Sequence, residues 1–432
     1  MRRPLLFWLV LALVPGSMQS ANSAEPSAIP AAADPEHLTL EAAEALFRDR
    51  SRELLAGKRA IEIAEADRIT AAQFPNPTLS ASASALSAAN WSAASGFPNK
   101  PIDTGVQFSQ LFERGNKRQL RTEAAQSNLE AARDDLQDTV RQQTLAMRGA
   151  FYDLLLAQER ARVSQDTLEL FRRSVDAAQL RLRSGDIAAS DLSRLKVDAL
   201  RAENDVRQAR ADREKTQVML AYFLGLEKSA ARIHAEGEWP ALVSVPPPKS
   251  IDDIVDQRSD VQAARQRLEA ARKNRDLARA ARVHDVTVGV QYDHFPTQIT
   301  NNTFGVSVSV PLFLFYNFDG EIKRAEVSVN SAEEEMERTR ALARADIART
   351  RADLESAQDR VQRYTDALLK EAQRAADAAE YAYKRGAVGV TDLLDARRTW
   401  YATRLDAASA QADYAKALAA WRAAIGAGAP PL

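Results

Sequence analysis

The 432 residues include no cysteine. That excludes disulfides, thiolate metal ligands, a cysteine nucleophile and a lipid-bearing N-terminal cysteine. Histidine is nearly as scarce: His37, His234, His284 and His294 are scattered, without the close spacing that a metal site needs. Charge of one sign is missing too. The 58 basic and 59 acidic residues are interleaved, so no surface recommends itself for nucleic acid. A phosphate-cradling glycine loop, a nucleophile elbow and a zinc motif are absent, which leaves no expected cofactor and no basis for catalysis. Beyond the N-terminus no apolar run reaches the length of a membrane-spanning helix. Any insertion into a bilayer must therefore use strands.

What is abundant is the vocabulary of long helices: Ala, Leu, Glu, Arg, Asp and Gln, with glycine and proline clustered at a few sites. Ahead of these, Arg2-Arg3 and the apolar run Leu5–Val14, ended by Pro15-Gly16, predict a cleaved secretory signal over residues 1–24. A flexible segment, 25–37, follows. The chain then runs through one series of elements twice. Residues 38–227 read as helical segments, alternating strands near 78–86 and 102–109, a long helix over about 116–183, a glycine turn and a returning helix over 190–224. A proline-rich linker, 228–250, separates this from a second series in 251–426. There the strands fall near 286–292 and 303–310, the long helix over about 319–384 and the returning helix over 390–425, with a tail at 427–432.

The duplication can be checked residue by residue. Gly105 matches Gly305 and Asp153 matches Asp353 at a spacing of 200. Gly185 matches Gly386, and Ser190-Asp191-Leu192 matches Thr391-Asp392-Leu393, at 201. In the second long helix Ile347, Leu354, Val361, Leu368, Ala375 and Ala382 recur every seventh residue, which predicts one uninterrupted helix packed along a neighbour. At ~1.5 Å per residue it is roughly 100 Å long.

Thr303–Val310 alternates strictly. Phe304, Val306, Val308 and Val310 are expected to face lipid, together with Val288, Val290 and Tyr292; Ser307, Ser309, Gln107 and Thr104 are expected to face water. Four strands cannot close a barrel, and an open edge in lipid leaves backbone groups unpaired at roughly several kcal/mol each. Closed membrane barrels begin at about eight strands, so several copies must share one. The fold class is mainly α with a small transmembrane β-sheet.

The order helix, strand, strand, long helix, glycine turn, helix, performed twice, resembles the TolC-like outer-membrane efflux proteins over essentially the whole mature chain. The resemblance is carried by Gly386 with Val390–Ala396, by Gly185 with Ser190-Asp191-Leu192, and by Gly305–Phe313. Glu113–Arg118 resembles the turn of the CzcC-like, heavy-metal branch. What the resemblance implies is a homotrimer, with a twelve-stranded β-barrel in outer-membrane lipid continued by a twelve-helix periplasmic α-barrel. It also implies two partners, a periplasmic adaptor (membrane fusion) protein and an inner-membrane RND-type pump. The chain would be their passive exit duct, with heavy-metal cations as first substrate class and drugs or other small molecules as second. Some of those proteins tie the entrance shut with a basic residue two positions past the turn glycine; Val388 stands there in this chain.

Asp392 and Asp395 lie three apart on nearly one helical face. With Ser190 and Asp191 of the first repeat they are the expected tunnel-entrance gate, where a trimer would stack the acids in rings. A plainer reading has Thr391 or Asp392 simply capping the helix, which leaves Asp395 unexplained. Gly185, Gly386 and Gly389 are expected to take positive φ in the tip turns. Beside them Arg183, Lys384 and Arg385 are expected to meet the adaptor, although they equally complement the helix C-termini. Two other architectures stay open: a periplasmic coiled-coil adaptor or structural protein, which the alternating strands disfavour, and a protein-secretion duct of the same fold.

Overall fold

The computed structural model describes residues 37–86, 88, 102–243, 250–296 and 302–426. The expected signal, nearly all of the flexible segment, Pro246–Pro248 of the linker and the C-terminal tail lie outside the described residues.

At the N-terminal side, Thr39 accepts a hydrogen bond from the Ala42 N–H (3.3 Å) and so caps α1 (Leu40–Arg50); Ser51 caps α2 (Arg52–Ala72) in the same way. β1 (His37–Leu38) pairs in parallel with β4 (His234–Ala235). The expected linker is therefore structured at its start. Glu227–Arg232 forms a 3₁₀ turn, and Leu226, Ala230, Ile233 and Ala235 are buried with Phe47, Met147, Phe151 and Leu224 in one core. Apolar residues so regularly buried cannot serve as a free connector.

β2 (Thr78–Ser84), β3 (Asp103–Phe112), β5 (Val286–His294) and β6 (Asn302–Ser309) form an antiparallel sheet in that order. The β3–β5 ladder joins the two repeats. Its register sets Leu79, Phe108, Val290 and Val306 in one row across the sheet, and Ala81, Val106, Tyr292 and Phe304 in the next. This face is bare: Phe304 is 85% and Val306 77% exposed. The opposite face is polar and tightly spaced. Gln107 donates to Ser307 Oγ at 3.2 Å across β5, over Gly289, where a Cβ would lie 2.6 Å from that oxygen. Thr104 is a correction. It pairs with Ala83 and His294, and period two puts it on the apolar face with Val106. Val310 falls just past the end of β6.

One long helical hairpin completes each repeat. α3 (Lys117–Arg183, 67 residues) returns through α4 (Ala189–Leu224). After α5 (Ile251–Gln257) and α6 (Ser259–Ala280), the second long element comprises α7 (Asp319–Arg363), a π turn at Tyr364–Leu368 and α8 (Leu369–Lys384), and returns through α9 (Val390–Ala424).

The π turn corrects the expectation of an uninterrupted helix, and it accounts for the change in repeat spacing. Before it, buried Met147, Ala150, Leu154 and Ala157 match buried Ile347, Thr350, Leu354 and Ala357 at 200. Beyond it the spacing is 201, as in Gly185 and Gly386. One extra residue entered the second copy, and a wider turn absorbs it without rotating the packing on either side. Accordingly Leu368 is exposed, and Ala376 rather than Ala375 is buried.

Candidate functional site at the paired turns

The two long elements end in the same way. The Gly185 N–H donates to the Leu182 carbonyl and the Asp186 N–H to the Arg181 carbonyl; Gly386 and Ala387 repeat this with Tyr383 and Ala382. Such a closure needs a left-handed residue, and Gly185 (φ +80°) and Gly386 (φ +74°) supply it. A methyl group on either would meet nothing within 4 Å, so the need is conformational and both turns are open to solvent. Gly389 departs from the expectation. Its φ is −77°, extended, because it is the N-cap of α9 rather than part of the turn.

That placement also revises the capping reading. Neither Thr391 nor Asp392 is the N-cap. Asp392 sits three residues on and accepts from the Gly389 N–H at 3.4 Å, while Thr391 Oγ1 accepts from Arg194 of α4 at 3.0 Å. Asp395 is exposed and lies 3.4 Å from Arg398. Asp191 is half-buried at the matching place in α4, with no side-chain partner among the described residues, and Ser190 is exposed beside it. Arg183 is exposed; Lys384 pairs with Glu380 at 2.8 Å, and Arg385 lies over the Tyr381 ring at 4.3 Å. Val388 is half-buried. The structure thus brings Asp392, Asp395 and the turn residues to one region, with Asp395 spoken for by an arginine of its own helix.

Residues that sequence reasoning passed over tie the two hairpins together. Arg398 holds both oxygens of Asp198, at 2.6 and 2.9 Å, and Arg201 lies 3.6 Å from the same carboxylate. Arg397 is buried, donates to Ser174 Oγ at 2.6 Å and lies 3.2 Å from Glu380. Hydrogen bonds from Lys384 hold the Glu380 carboxyl below the ordinary glutamate range; partial burial opposes this, and Arg397 adds to it. Around these polar contacts Leu168, Phe171, Leu192, Leu195, Val390 and Leu394 form a core shared by both repeats. A signal was present in the sequence: Asp198 and Arg397 fall on the apolar stripes Leu192-Leu195-Ala202 and Val390-Leu393-Leu394, where a charge requires a partner.

Residues 45–226 and 250–427 match the family model described as outer membrane efflux protein. The chain is 25% identical over 370 residues to the cobalt-zinc-cadmium resistance protein CzcC of Cupriavidus metallidurans, covering 85% of each. It is 26% identical over 327 residues to the pyoverdine export outer membrane protein OpmQ of Pseudomonas putida, covering 73% of this chain and 68% of that one. The solved structure of the outer membrane protein VceC of Vibrio cholerae shares the fold, with a TM-score of 0.75 over 90% of this chain and 97% of that chain at 20% identity.

Proposed function

The chain belongs to the outer membrane efflux protein family, and from that premise we propose that it is the passive exit duct of a tripartite efflux system. The observation that carries this is the sheet. Both of its edge strands, β2 and β6, are paired on one side only among the described residues, and its apolar face is bare. Lipid tolerates neither an open ladder nor a partial barrel. Three copies supply twelve strands and close the ring, and the same symmetry sets the helical hairpins into a twelve-helix tunnel in the periplasm. Phe304, Val306, Val308 and Val310 then meet outer-membrane lipid, and exposed Leu312, Leu314 and Phe315 just beyond β6 suit the membrane–water boundary.

At the other end the open turns around Gly185 and Gly386 receive the periplasmic adaptor, with Arg183, Lys384 and Arg385 at its margin. The energy comes from an inner-membrane pump, and the duct itself performs no chemistry. Asp392 and Asp395, with Asp191 and Ser190, line the entrance. The Asp198–Arg398 and Thr391–Arg194 contacts hold it closed. Rings of carboxylates concentrate cations. Together with the similarity to CzcC, this favours heavy-metal cations as cargo; the similarity to OpmQ supports small organic molecules as the second class. The protein is exported by a cleaved signal and carries no lipid.

Fractionation tests the duct. A heat-resistant trimer in outer membranes, forming channels in planar bilayers, is expected, and a purely soluble periplasmic monomer would overturn the reading. Survival of a deletion strain against a panel of metals and drugs tests the cargo: unaltered metal tolerance with lost drug tolerance would make small organic molecules the cargo in place of metal cations.

A further inference from the structure

Between α3, α8 and α9, close to the turns, lies a cavity of about 440 Å³ with an unbalanced lining. Four cations border it: Arg173 and Arg181 from α3, Lys384 from α8 and Arg397 from α9. The one acid on its wall is Glu380, and Lys384 and Arg397 share it, at 2.8 and 3.2 Å. Arg173 and Arg181 have no carboxylate partner among the described residues. Arg173 reaches only the Glu169 carbonyl, and Arg181 lies 5.0 Å from the centre of the Tyr383 ring. Three positive charges are therefore left without a counter-charge around one recess.

The most buried of the four cations is incompletely satisfied. Arg397 is 6% exposed; it uses Nη1 on Ser174 and Nη2 on Glu380, and its Nε, closed off from solvent, has no acceptor among the described residues. A guanidinium keeps its charge at any physiological pH, so the deficit cannot be relieved by losing a proton. Such a surplus of cations around one recess calls for an oxygen-bearing anion that accepts from several donors at once.

We propose that this cavity binds a small oxyanion or carboxylate. The ligand sits between the α3 arginines and the Lys384–Arg397 pair, and so joins the long helix of the first repeat to the hairpin of the second. Occupancy makes the closed arrangement of the tip tighter. The cavity and its charges suffice for this binding, whether or not the acids at the entrance gate conduction.

The experiment uses the assembled full-length protein in detergent, with hydrogen exchange over residues 170–183 and 376–400 followed in sodium sulfate and in sodium chloride at matched ionic strength. Sulfate is expected to slow exchange in both segments. Arg181→Gln and Arg173→Gln, which leave Arg397 and Glu380 in place, are each expected to weaken the sulfate effect roughly tenfold in apparent affinity, as loss of a hydrogen bond to a charged group does. Acetate is the second probe. Competition by acetate assigns the site to carboxylates, and a sulfate response that acetate leaves untouched assigns it to tetrahedral oxyanions. Equal exchange in sulfate and chloride overturns the proposal, as does an undiminished sulfate response in the R173Q/R181Q double variant. Conductance is not among the readouts, so failure of the anion site is distinct from failure of the gate.

Discussion

Arg398 sets its guanidinium 2.6 and 2.9 Å from the two carboxylate oxygens of Asp198, whose side chain is 5% exposed, and in doing so clamps the returning helix of one repeat to that of the other. The clamp has no mirror image. At the tip spacing of 201, Asp198 corresponds to Thr399 and Arg398 to Val197, neither of which can form an ion pair. The duplication therefore does not repeat this link, and its two ends are unequal: Arg398 is half exposed while Asp198 is not.

That inequality makes the two obvious substitutions differ. Arg398→Gln leaves a buried carboxylate largely uncompensated and should cost about 1–3 kcal/mol, below the range for fully buried pairs because Arg398 is partly solvated. Asp198→Asn should cost less, since Arg398 turns to water and to Asp395. Hydrogen exchange over 190–200 and 390–400 measures both, and equal costs would mean that Asp198 is not the dependent partner. On the gate reading, Arg398→Gln also raises the open probability of single channels.

On the gate reading, removal of Asp392 and Asp395 should change conduction without changing the fold. Asp392→Ala with Asp395→Ala is expected to weaken block by multivalent cations at least roughly tenfold, the effect of losing ~1.4 kcal/mol of attraction. Asp392→Ala also removes the acceptor for the Gly389 N–H, so a small stability loss should appear in both variants that carry it and not in Asp395→Ala alone. Unaltered block in the double variant would put the constriction elsewhere.

The glycines of the tip should respond differently to one methyl group. Gly185→Ala and Gly386→Ala each force a left-handed alanine and should cost about 1 kcal/mol, with no steric contribution because the space is open. Gly389→Ser should be neutral or stabilising by about a few tenths of a kcal/mol, because serine is a slightly better N-cap and the backbone there is already extended. Thermal unfolding of the three variants decides the matter.

Deleting one residue inside the π turn should be tolerated, whereas deleting one outside it should not. Without Asp366 the second long element becomes a continuous α-helix and keeps its packing at both ends. Without Glu355 every contact beyond shifts by roughly 100° around the helix, one residue's share of a turn. Yield of assembled protein and its melting temperature are expected to stay near wild type for the first and to collapse for the second.

Acid should loosen the tip through Glu380. Its folded-state pKa lies below the ordinary 4.5, so its contribution is complete above about that pH and is lost as the pH falls through the lowered value. Glu380→Gln removes this acid sensitivity of exchange in 376–400; a variant with the wild-type profile would show that another carboxyl governs it.

Much of the fold was legible because the duplication supplies its own control: Gly185 and Gly386, or Gly105 and Gly305, report the same event at two places. Strand faces are legible in the alternation around Val306, and the period that Thr104 shares with Val106 puts it on the apolar face. The π turn was illegible for a physical reason. No proline or glycine marks it, and alanine at both 375 and 376 lets the heptad count run on unbroken. The clamp and the cationic cavity were hidden differently. Asp198 and Arg397 show only as charges on apolar stripes, which does not name their partners, and half-exposed Glu380 looks like any acid of a long charged helix.

The half-paired strands β2 and β6 also govern how the protein behaves in a mixed population. If three copies share one barrel, as proposed above, a copy whose edge cannot pair is excluded from lipid on its own, but it still offers one good edge to a normal copy. Damage confined to Thr78–Ser84 or Asn302–Ser309 should therefore act dominantly, stalling sound partners in unfinished rings. Damage at the tip, where each chain carries its own clamp, should be diluted by normal copies. The place of a lesion along the chain, rather than its severity, then decides whether one altered gene among two is enough to silence the pair.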